Sequence, residues 1–231
     1  MKTIGLIGGM SWESSLEYYR IINEAVKSRL GGFHSAQCVM YSVDFAEVEA
    51  LQHRAEWSET ARILSRAARG LEAAGADFLV LCTNTMHKVA AELEAAVRIP
   101  LLHIADPTAE RIKSRGFRKV GLLGTRFTME EGFYRGRLAE KHGLEVIVPE
   151  SGDRETVHRV IYAELVAGRI EAASRAAFVS IIERLAGAGA EAVILGCTEI
   201  GLLVGEKDSP LPVFDTTRIH AEAAVNVALG A

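Results

Sequence analysis

The sequence is short of the features that mark secreted, membrane-bound and nucleic-acid-binding proteins. It has three cysteines, Cys38, Cys82 and Cys197, too few and too scattered for a disulfide framework. No apolar run approaches the roughly 20 residues that a membrane helix needs. The formal net charge is -4, so no strong positive field is available to hold a phosphate backbone. We therefore expect a cytoplasmic protein with neither a membrane nor a nucleic acid as partner.

Several ligand-binding and catalytic motifs are also missing. The cysteines and histidines do not have the spacing of a zinc site. The stretch GLIGGM lacks the order of glycines typical of a dinucleotide-binding loop, and the chain has no phosphate-binding loop. It also has no G-x-S-x-G sequence, the pattern of a serine nucleophile on a sharp turn. We therefore expect no metal and no nucleotide cofactor.

The sequence does contain an alternation of strand-like and helix-like segments. Short apolar runs at 3–9, 36–45 and 77–82 are separated by stretches with helical periodicity, such as WSETARILSRAARGLEAAG. Of the 231 residues, 49% are hydrophobic, which is enough for a substantial core. This alternation predicts an α/β fold in which helices flank parallel sheets.

The second half of the chain repeats the sequence pattern of the first half. KVGLLGT matches TIGLIGG, LAGAGAEAVILGCTEIG matches LEAAGADFLVLCTNTMH, and LPVFDT matches IPLLHIAD, each about 112–116 residues apart. This repetition predicts two similar, pseudo-symmetric α/β subdomains, one formed by 1–100 plus 211–231 and the other by 101–210. Ligands of parallel sheets bind beyond the carboxyl ends of the strands. We therefore expect the active site in a cleft between the subdomains.

Polar residues follow the strand-like runs at the positions where such a site would lie. Cys197 could act as a thiolate stabilised by the amides of a following helix, or it could be a small buried hydrophobe. Asn84 and Thr85 could anchor a carboxylate, and they could equally cap the helix MHKVAAELEAAV, in whose first turn we place His87. Thr198 is the counterpart of this pair in the second half, and Thr125 and Thr128 follow KVGLLG.

Together these segments resemble the aspartate/glutamate racemase family, in particular its broad-specificity amino-acid racemase branch. The resemblance covers nearly the whole chain and rests on GLIGGMSWESS, HSAQ, SVDF, LCTNTMHK, HIAD, LLGTRFTME, LGCTEIGLL and LPVFDT. It implies a racemase of a small amino acid that works without pyridoxal phosphate or another cofactor. It also implies a homodimer, since relatives are often dimers.

The resemblance assigns a proton-transfer group to each face of the substrate Cα, where family members typically use two cysteines. The second cysteine maps onto Cys197, but the first maps onto Thr83, and Cys82 lies one residue earlier. Neighbouring residues near a strand end point in different directions, so Cys82 should not replace Thr83. Because a hydroxyl is a far weaker base than a thiolate, we expect one direction of turnover to be much slower.

The resemblance also suggests which residues bind the substrate. Asn84, Thr85 and Thr198 would hold the α-carboxylate and amino group, with Thr125 and Thr128 nearby, while Met10 lines the wall and Gln52 reaches the substrate side chain. Glu164, on the helix IYAELVAG, stands near the place of a basic residue in relatives with acidic substrates. An unpaired Glu164 would favour a neutral or basic substrate side chain; otherwise it is an ordinary exposed helix residue.

Two other functions remain open from the sequence. The chain could be a related isomerase or decarboxylase of a small diacid, with Cys197 as proton donor or nucleophile. It could also be a catalytically weak protein that binds an amino acid, which the absence of the first cysteine would explain.

Overall fold

A computed structural model of the protein describes residues 1–230 and contains two compact units. The first unit comprises Met1–Ile104 together with the chain from His220 onward, and the second comprises Ala105–Ile219. Each unit contains one parallel sheet of four strands. The predicted α/β fold of two similar units is therefore confirmed.

The sheet of the first unit has the strand order β2-β1-β3-β4. Its strands are β1 (Ile4–Gly8), β2 (Cys38–Ser42), β3 (Phe78–Leu81) and β4 (Leu101–Leu102). The helices of this unit are α1 (Trp12–Leu30), α2 (Phe45–His53), α3 (Trp57–Ala73) and α4 (Ala90–Ala96), and a 3₁₀ turn spans Thr85–Val89. Two buried apolar clusters pack against its strands, one including Ile7 and Leu79 and the other including Leu6 and Val80.

The sheet of the second unit repeats this order as β6-β5-β7-β8. Its strands are β5 (Lys119–Gly124), β6 (Glu145–Ile147), β7 (Ala192–Gly196) and β8 (Val213–Asp215). The helices are α5 (Ala105–Ser114), α6 (Arg126–Glu130), α7 (Gly132–Glu140), α8 (Ser151–Ala163), α9 (Ala172–Gly187) and α10 (Ile200–Leu203); α11 (Thr216–Leu229) starts here and continues into the first unit.

The unit boundaries differ from those expected from the sequence. β4 pairs with β3, so Leu101–Leu102 complete the first sheet rather than opening the second subdomain. β8 pairs with β7, so Val213–Asp215 belong to the second sheet and not to the returning tail. The physical reason is the repeat itself, because each copy of the unit needs its own fourth strand to cover the edge of its third. The return to the first unit is made by α11, whose Ala221, Ala224 and Val225 pack in the cluster around Leu6.

The central strands form because their residues are apolar on both faces. Every residue of β1, β3 and β7 is buried, which is typical of parallel strands covered by helices on both sides. At the helix that follows β1, Ser11 accepts a bond from the amide of Ser14 and caps α1. Gly31 ends α1 with a φ of 73°, a conformation that glycine adopts at little cost.

A charge cluster on Asp106 joins α5 to α7 within the second unit. The carboxylate of Asp106 accepts two bonds from Arg137, at 2.7 Å each, and further bonds from Lys141 and His142. Its side chain is 19% exposed. Burial alone would raise the pKa of Asp106, but the bonds from Arg137, Lys141 and His142 outweigh it and hold that pKa well below its usual range.

We expect Asp106→Asn to lower the free energy of unfolding by about 2–3 kcal/mol, because it leaves a partly buried cationic cluster without its anion. The folded-state pKa lies below the unfolded value, so this contribution is present above about pH 4 and is lost as the pH falls further. Urea titrations at neutral and acidic pH measure it, with Glu59→Gln, which disrupts an exposed ion pair, as the control. Equal stability of wild type and Asp106→Asn at neutral pH would contradict the expectation.

Candidate functional site

In the second unit, polar residues collect where two neighbouring strands end. β5 and β7 are paired so that Gly124 lies opposite Gly196, and the next residues are Thr125 and Cys197. The two strand ends approach closely, since a Cβ on Gly124 would lie 2.9 Å from the carbonyl oxygen of Gly196. Glycine at both positions therefore allows the residues that follow to share one edge of the sheet.

Thr125 and Thr128 form the cap of α6 at this edge. The hydroxyl of Thr125 accepts a bond from the amide of Thr128, and the two hydroxyl oxygens are 3.2 Å apart. Both side chains are buried. They thus present hydroxyl groups beside the start of a helix, next to the strand that carries Cys197.

The thiol of Cys197 is hydrogen-bonded to the carboxylate of Glu199, two residues further along the chain. Its Sγ donates to Oε2 of Glu199 at 3.0 Å, and the hydroxyl of Thr198 donates to the same oxygen at 2.7 Å. Cys197 is 9% exposed and Glu199 is 4% exposed. Glu199 was not among the expected site residues, although its place in GCTE, two residues after the cysteine, was the available signal.

The surroundings of Cys197 favour the neutral thiol. Burial is the largest influence raising its pKa well above the usual value, and the negative charge of Glu199 raises it further. The backbone amides of Glu199 and Thr198 act in the opposite direction but do not prevail. The two amides thus act as expected from the sequence, whereas burial and the Glu199 carboxylate act against a thiolate.

In the first unit, the equivalent edge carries Met10 after β1 and Thr83 after β3. These strands are neighbours, with Ile7 opposite Leu81. Met10, Thr83, Asn84 and Thr85 are all buried. The loop continues into the 3₁₀ turn and then α4, so the expected single helix over MHKVAAELEAAV is two shorter elements.

Gln52 lies on α2 in the same unit and is 4% exposed. Its Nε2 is 3.7 Å from the Sδ of Met86, a residue of the 3₁₀ turn that follows Thr83. Gln52 therefore contacts the element that carries Asn84 and Thr85.

Cys82 and Thr83 have different environments despite being neighbours. Cys82 is fully buried among Ile4, Leu6 and Tyr18, and burial raises the pKa of its thiol. Thr83 retains 8% exposure at the strand end. The buried thiol is therefore held in the core, whereas the hydroxyl lies at the edge of the sheet.

Comparison with known proteins shows the family of this chain. The Asp/Glu/hydantoin racemase family matches residues 7–224. The chain belongs to this family. The resemblance recognised from the sequence is confirmed.

Several relatives of known structure or function are members of the racemase family. A Yersinia pestis protein assigned to the Asp/Glu racemases is 58% identical, with 99% of this chain and all of that chain covered and a TM-score of 0.93. An aspartate racemase homologue from Pyrococcus horikoshii is 37% identical over 99% of this chain and all of its own, with a TM-score of 0.86. The broad-specificity amino-acid racemase of Bacillus subtilis is 26% identical over 69% of this chain and 68% of its own length.

Glu164 occupies a different setting from the one expected on family grounds. α8 ends at Ala163, so Glu164 follows the helix instead of lying on it. Its Oε2 accepts a bond from the hydroxyl of Ser174 at 2.5 Å, and its Oε1 lies 3.5 Å from Nη1 of Arg159. Glu164 is thus neither unpaired nor an ordinary exposed helix residue.

Two further observations concern the whole described chain of the racemase-family protein. Within residues 1–230, His, Cys, Asp and Glu side chains do not form a group of three or more that could hold a metal ion. Within the same residues, every helix is too short or too polar to cross a lipid bilayer.

Proposed function

We propose that this protein racemises a small amino acid by moving a proton at Cα, without pyridoxal phosphate. The observation that carries the proposal is the Cys197 thiol bonded to the Glu199 carboxylate, at a strand end of a chain that belongs to a racemase family. A thiol beside an acceptor is equipped to exchange a proton in either direction, because Glu199 can take the proton of Cys197 and give it back.

The reaction proceeds by removal of the α-proton on one face and delivery of a proton on the other. When Cys197 acts as the base, its proton passes to Glu199 and the thiolate takes the α-proton. The negative charge then develops on the substrate carboxylate, where Asn84 and Thr85 donate hydrogen bonds that strengthen as the charge grows. The hydroxyl of Thr198 donates to Glu199 at rest, and it can turn to the substrate when Glu199 takes the proton of Cys197. The hydroxyl of Thr83 supplies the proton on the opposite face, directly or through water, and recovers a proton from solvent. The proton that Glu199 received is released to solvent, and the reverse reaction runs through the same steps backwards.

The pair of Cys197 and Glu199 also explains how a thiol with a raised pKa can serve as a base. A free thiolate next to a carboxylate is disfavoured in the resting protein, so the proton leaves only as the α-proton is taken. In the reverse direction the neutral thiol is already the correct proton donor. Cys197 is thus suited to both roles, whereas the hydroxyl of Thr83 is a weak donor and a weak base, so its half of the reaction is slow in both directions.

The experiment that tests the proposal is proton NMR in heavy water with a panel of L- and D-amino acids. A racemase exchanges the α-proton and forms the other enantiomer on an unchanged carbon skeleton. With diacids added as separate substrates, a decarboxylase would release carbon dioxide and a cis–trans isomerase would change the geometry of a double bond, both without α-proton exchange in the amino acids. A binding protein would give a shift in melting temperature without exchange. Either of these outcomes would refute the racemase proposal.

We expect Glu199→Gln to lower α-proton exchange about 10²-fold, because the thiol of Cys197 loses its proton acceptor. The same change removes a negative charge, so the pKa of Cys197 should fall and its thiolate should form at lower pH. Ultraviolet absorbance of the thiolate during a pH titration follows this shift. Glu206→Gln, an exposed residue of the same unit, serves as the control. Unchanged exchange in Glu199→Gln would remove the carboxylate from the mechanism.

We also propose that the protein is a homodimer that uses the outer face of α1 and the edge strand β2. Trp12, Leu16 and Tyr19 are 65%, 55% and 49% exposed, and the neighbouring Met40 of β2 is 38% exposed. These side chains line a groove of about 400 Å³ on the first unit. Exposed apolar surface of this kind on an edge strand favours association, and a second copy is the partner that the family resemblance suggests.

Leu16→Glu is expected to convert the dimer to a monomer, because a charge at the contact would be desolvated without a partner. Sedimentation velocity measures the change, with Leu202→Glu, another exposed leucine that lies on the second unit, as the matched control. A wild-type monomer, or a dimer that persists in Leu16→Glu, would contradict the proposed contact.

We further propose a cytoplasmic location, which three free cysteines support.

A further inference from the structure

The buried imidazole of His87 is hydrogen-bonded to the backbone of Thr83. His87 lies in the 3₁₀ turn after Thr83 and is 2% exposed. Its Nδ1 is 2.8 Å from the carbonyl oxygen of Thr83. Its Nε2 is 3.1 Å from the backbone nitrogen of Ile104, which lies two residues beyond β4.

These two contacts determine which ring nitrogen carries the proton. A carbonyl oxygen can only accept, so Nδ1 must be the donor to Thr83. A backbone N–H can only donate, so Nε2 must be unprotonated to accept from Ile104. His87 is therefore the neutral Nδ1–H tautomer, and a proton on Nε2 would place a second donor against the Ile104 amide.

The neighbours of His87 enclose the ring and keep it away from a substrate. The ring of His103 lies 4.4 Å from it and that of His220 lies 5.9 Å away, both measured between centroids. His220 is itself bonded on both nitrogens, to the hydroxyl of Tyr18 and to the carbonyl of Leu102, at 2.8 Å each. The His87 ring, packed between these neighbours, supports the loop and is not placed to exchange protons with the substrate.

The bond from His87 acts on Thr83 more directly than on the substrate-binding residues after it. The carbonyl of Asn84 accepts from the backbone amide of His87 at 3.1 Å, so the 3₁₀ turn holds Asn84 without the ring. The carbonyl of Thr83, by contrast, is held by the ring nitrogen. Loss of the Nδ1 donor should therefore disturb Thr83 first.

We propose that His87 is the positioning residue of the proton-transfer hydroxyl of Thr83. The inference rests on the proposed racemase function and adds to it the group that aims the weaker proton donor. A weak acid depends on geometry for its rate, and a displacement of about 1 Å can cost about 10²-fold. The neutral Nδ1–H tautomer supplies this geometry by tying the carbonyl of Thr83 to the strand end at Ile104.

Two amide variants separate the two bonds of the ring. In His87→Asn, the side-chain nitrogen reaches the place of Nδ1 and keeps the donation to Thr83. In His87→Gln, the side-chain oxygen reaches the place of Nε2 and keeps the acceptance from Ile104, but the donor to Thr83 is lost. The readout is the ratio of inversion, which needs Thr83, to α-proton exchange with retained configuration, which needs Cys197 alone.

We expect the ratio to fall about 10- to 100-fold in His87→Gln and to stay within about threefold of wild type in His87→Asn. A purely structural role would lower inversion and exchange together in both variants, and that result would overturn the assignment. Nitrogen-15 NMR of the wild-type ring gives a second test, because a ring protonated on Nε2 at neutral pH would also overturn it. Wild-type protein that exchanges no amino acid would refute the proposed function and this role together, whereas equal losses in the two variants refute the role alone.

Discussion

Replacing Cys197 with Ala is expected to lower α-proton exchange at least about 10³-fold, the largest effect of any single substitution in the chain. In the proposed mechanism the thiol removes the α-proton from one enantiomer and returns it, and a methyl group can do neither. Glu199 would also lose the thiol that donates to it at 3.0 Å. Proton NMR in heavy water measures the exchange rate for the enantiomer that wild type labels fastest.

The control for this substitution is Cys38→Ser, which changes a half-buried thiol on β2 of the first unit. This variant should keep nearly all of the exchange, since Cys38 lies on an edge strand and not at the candidate site. Melting temperature should be measured for both variants, because Cys197 also packs in the core of its unit. A folded Cys197→Ala protein that exchanges at the wild-type rate would remove Cys197 from the reaction.

Replacing Thr83 with Cys is expected to raise the ratio of inversion to retained exchange about 10²-fold. A thiol, with an ordinary pKa near 8.5, gives up and takes a proton far more readily than an alcohol at neutral pH. In the proposed mechanism, wild type returns the intermediate to the starting enantiomer through Cys197 more often than Thr83 completes the inversion. A thiol at position 83 should remove that delay.

The slower direction of turnover expected from the sequence cannot be a lower kcat/KM, so the asymmetry must appear in exchange with retained configuration. Two enantiomers have equal free energies, so kcat/KM for the forward and reverse reactions has to be equal. Labelling with retained configuration has no such constraint, because it is not a net reaction. Thr156→Cys is the control, because it adds a thiol on α8 and not after β3. It should leave the ratio unchanged. A Thr83→Cys protein as slow as wild type with both enantiomers would contradict the assigned role of Thr83.

Much of the fold could be predicted because the two halves of the chain share one sequence pattern. The apolar runs that form β1, β3, β5 and β7 are short, buried on both faces and followed by polar loops, so their type and order follow from the pattern. The positions of β4 and β8 were harder, because strands of two and three residues have almost no periodicity. Their pairing with β3 and β7 is decided by the sheet edge and not by their own sequence.

The candidate site was predictable in its residue types but not in its electrostatics. Thr125 and Cys197 directly follow β5 and β7, and Thr83 and Asn84 lie two and three residues after β3. Ligands of parallel sheets bind beyond the carboxyl ends of the strands. The contact between Cys197 and Glu199 depends on a turn of the backbone that brings residues i and i+2 together, which no periodicity reveals. The sequence suggested a thiolate stabilised by amides and did not reveal the buried Glu199 carboxylate, which raises the pKa of Cys197.

The contacts of Glu164 and His87 also could not be predicted from the local sequence pattern. The segment around Glu164 has helical periodicity, yet the helix ends one residue earlier and the carboxylate turns to Ser174 and Arg159. His87 was expected only as a first-turn helix residue. Its bond to Ile104 joins residues 17 positions apart, so the role of its ring depends on tertiary contacts that a local pattern does not contain.

The most direct test of the account follows deuterium at Cα in heavy water, starting separately from the two enantiomers of an amino acid that the wild-type protein turns over. The account predicts that one enantiomer gains deuterium with its configuration retained faster than it inverts, since its α-proton faces Cys197. The other enantiomer should gain deuterium only in the inverted product, since its proton must first leave to the side of Thr83. Equal labelling with retention in both enantiomers would contradict the account, because it would require an equally effective base on each face of the substrate.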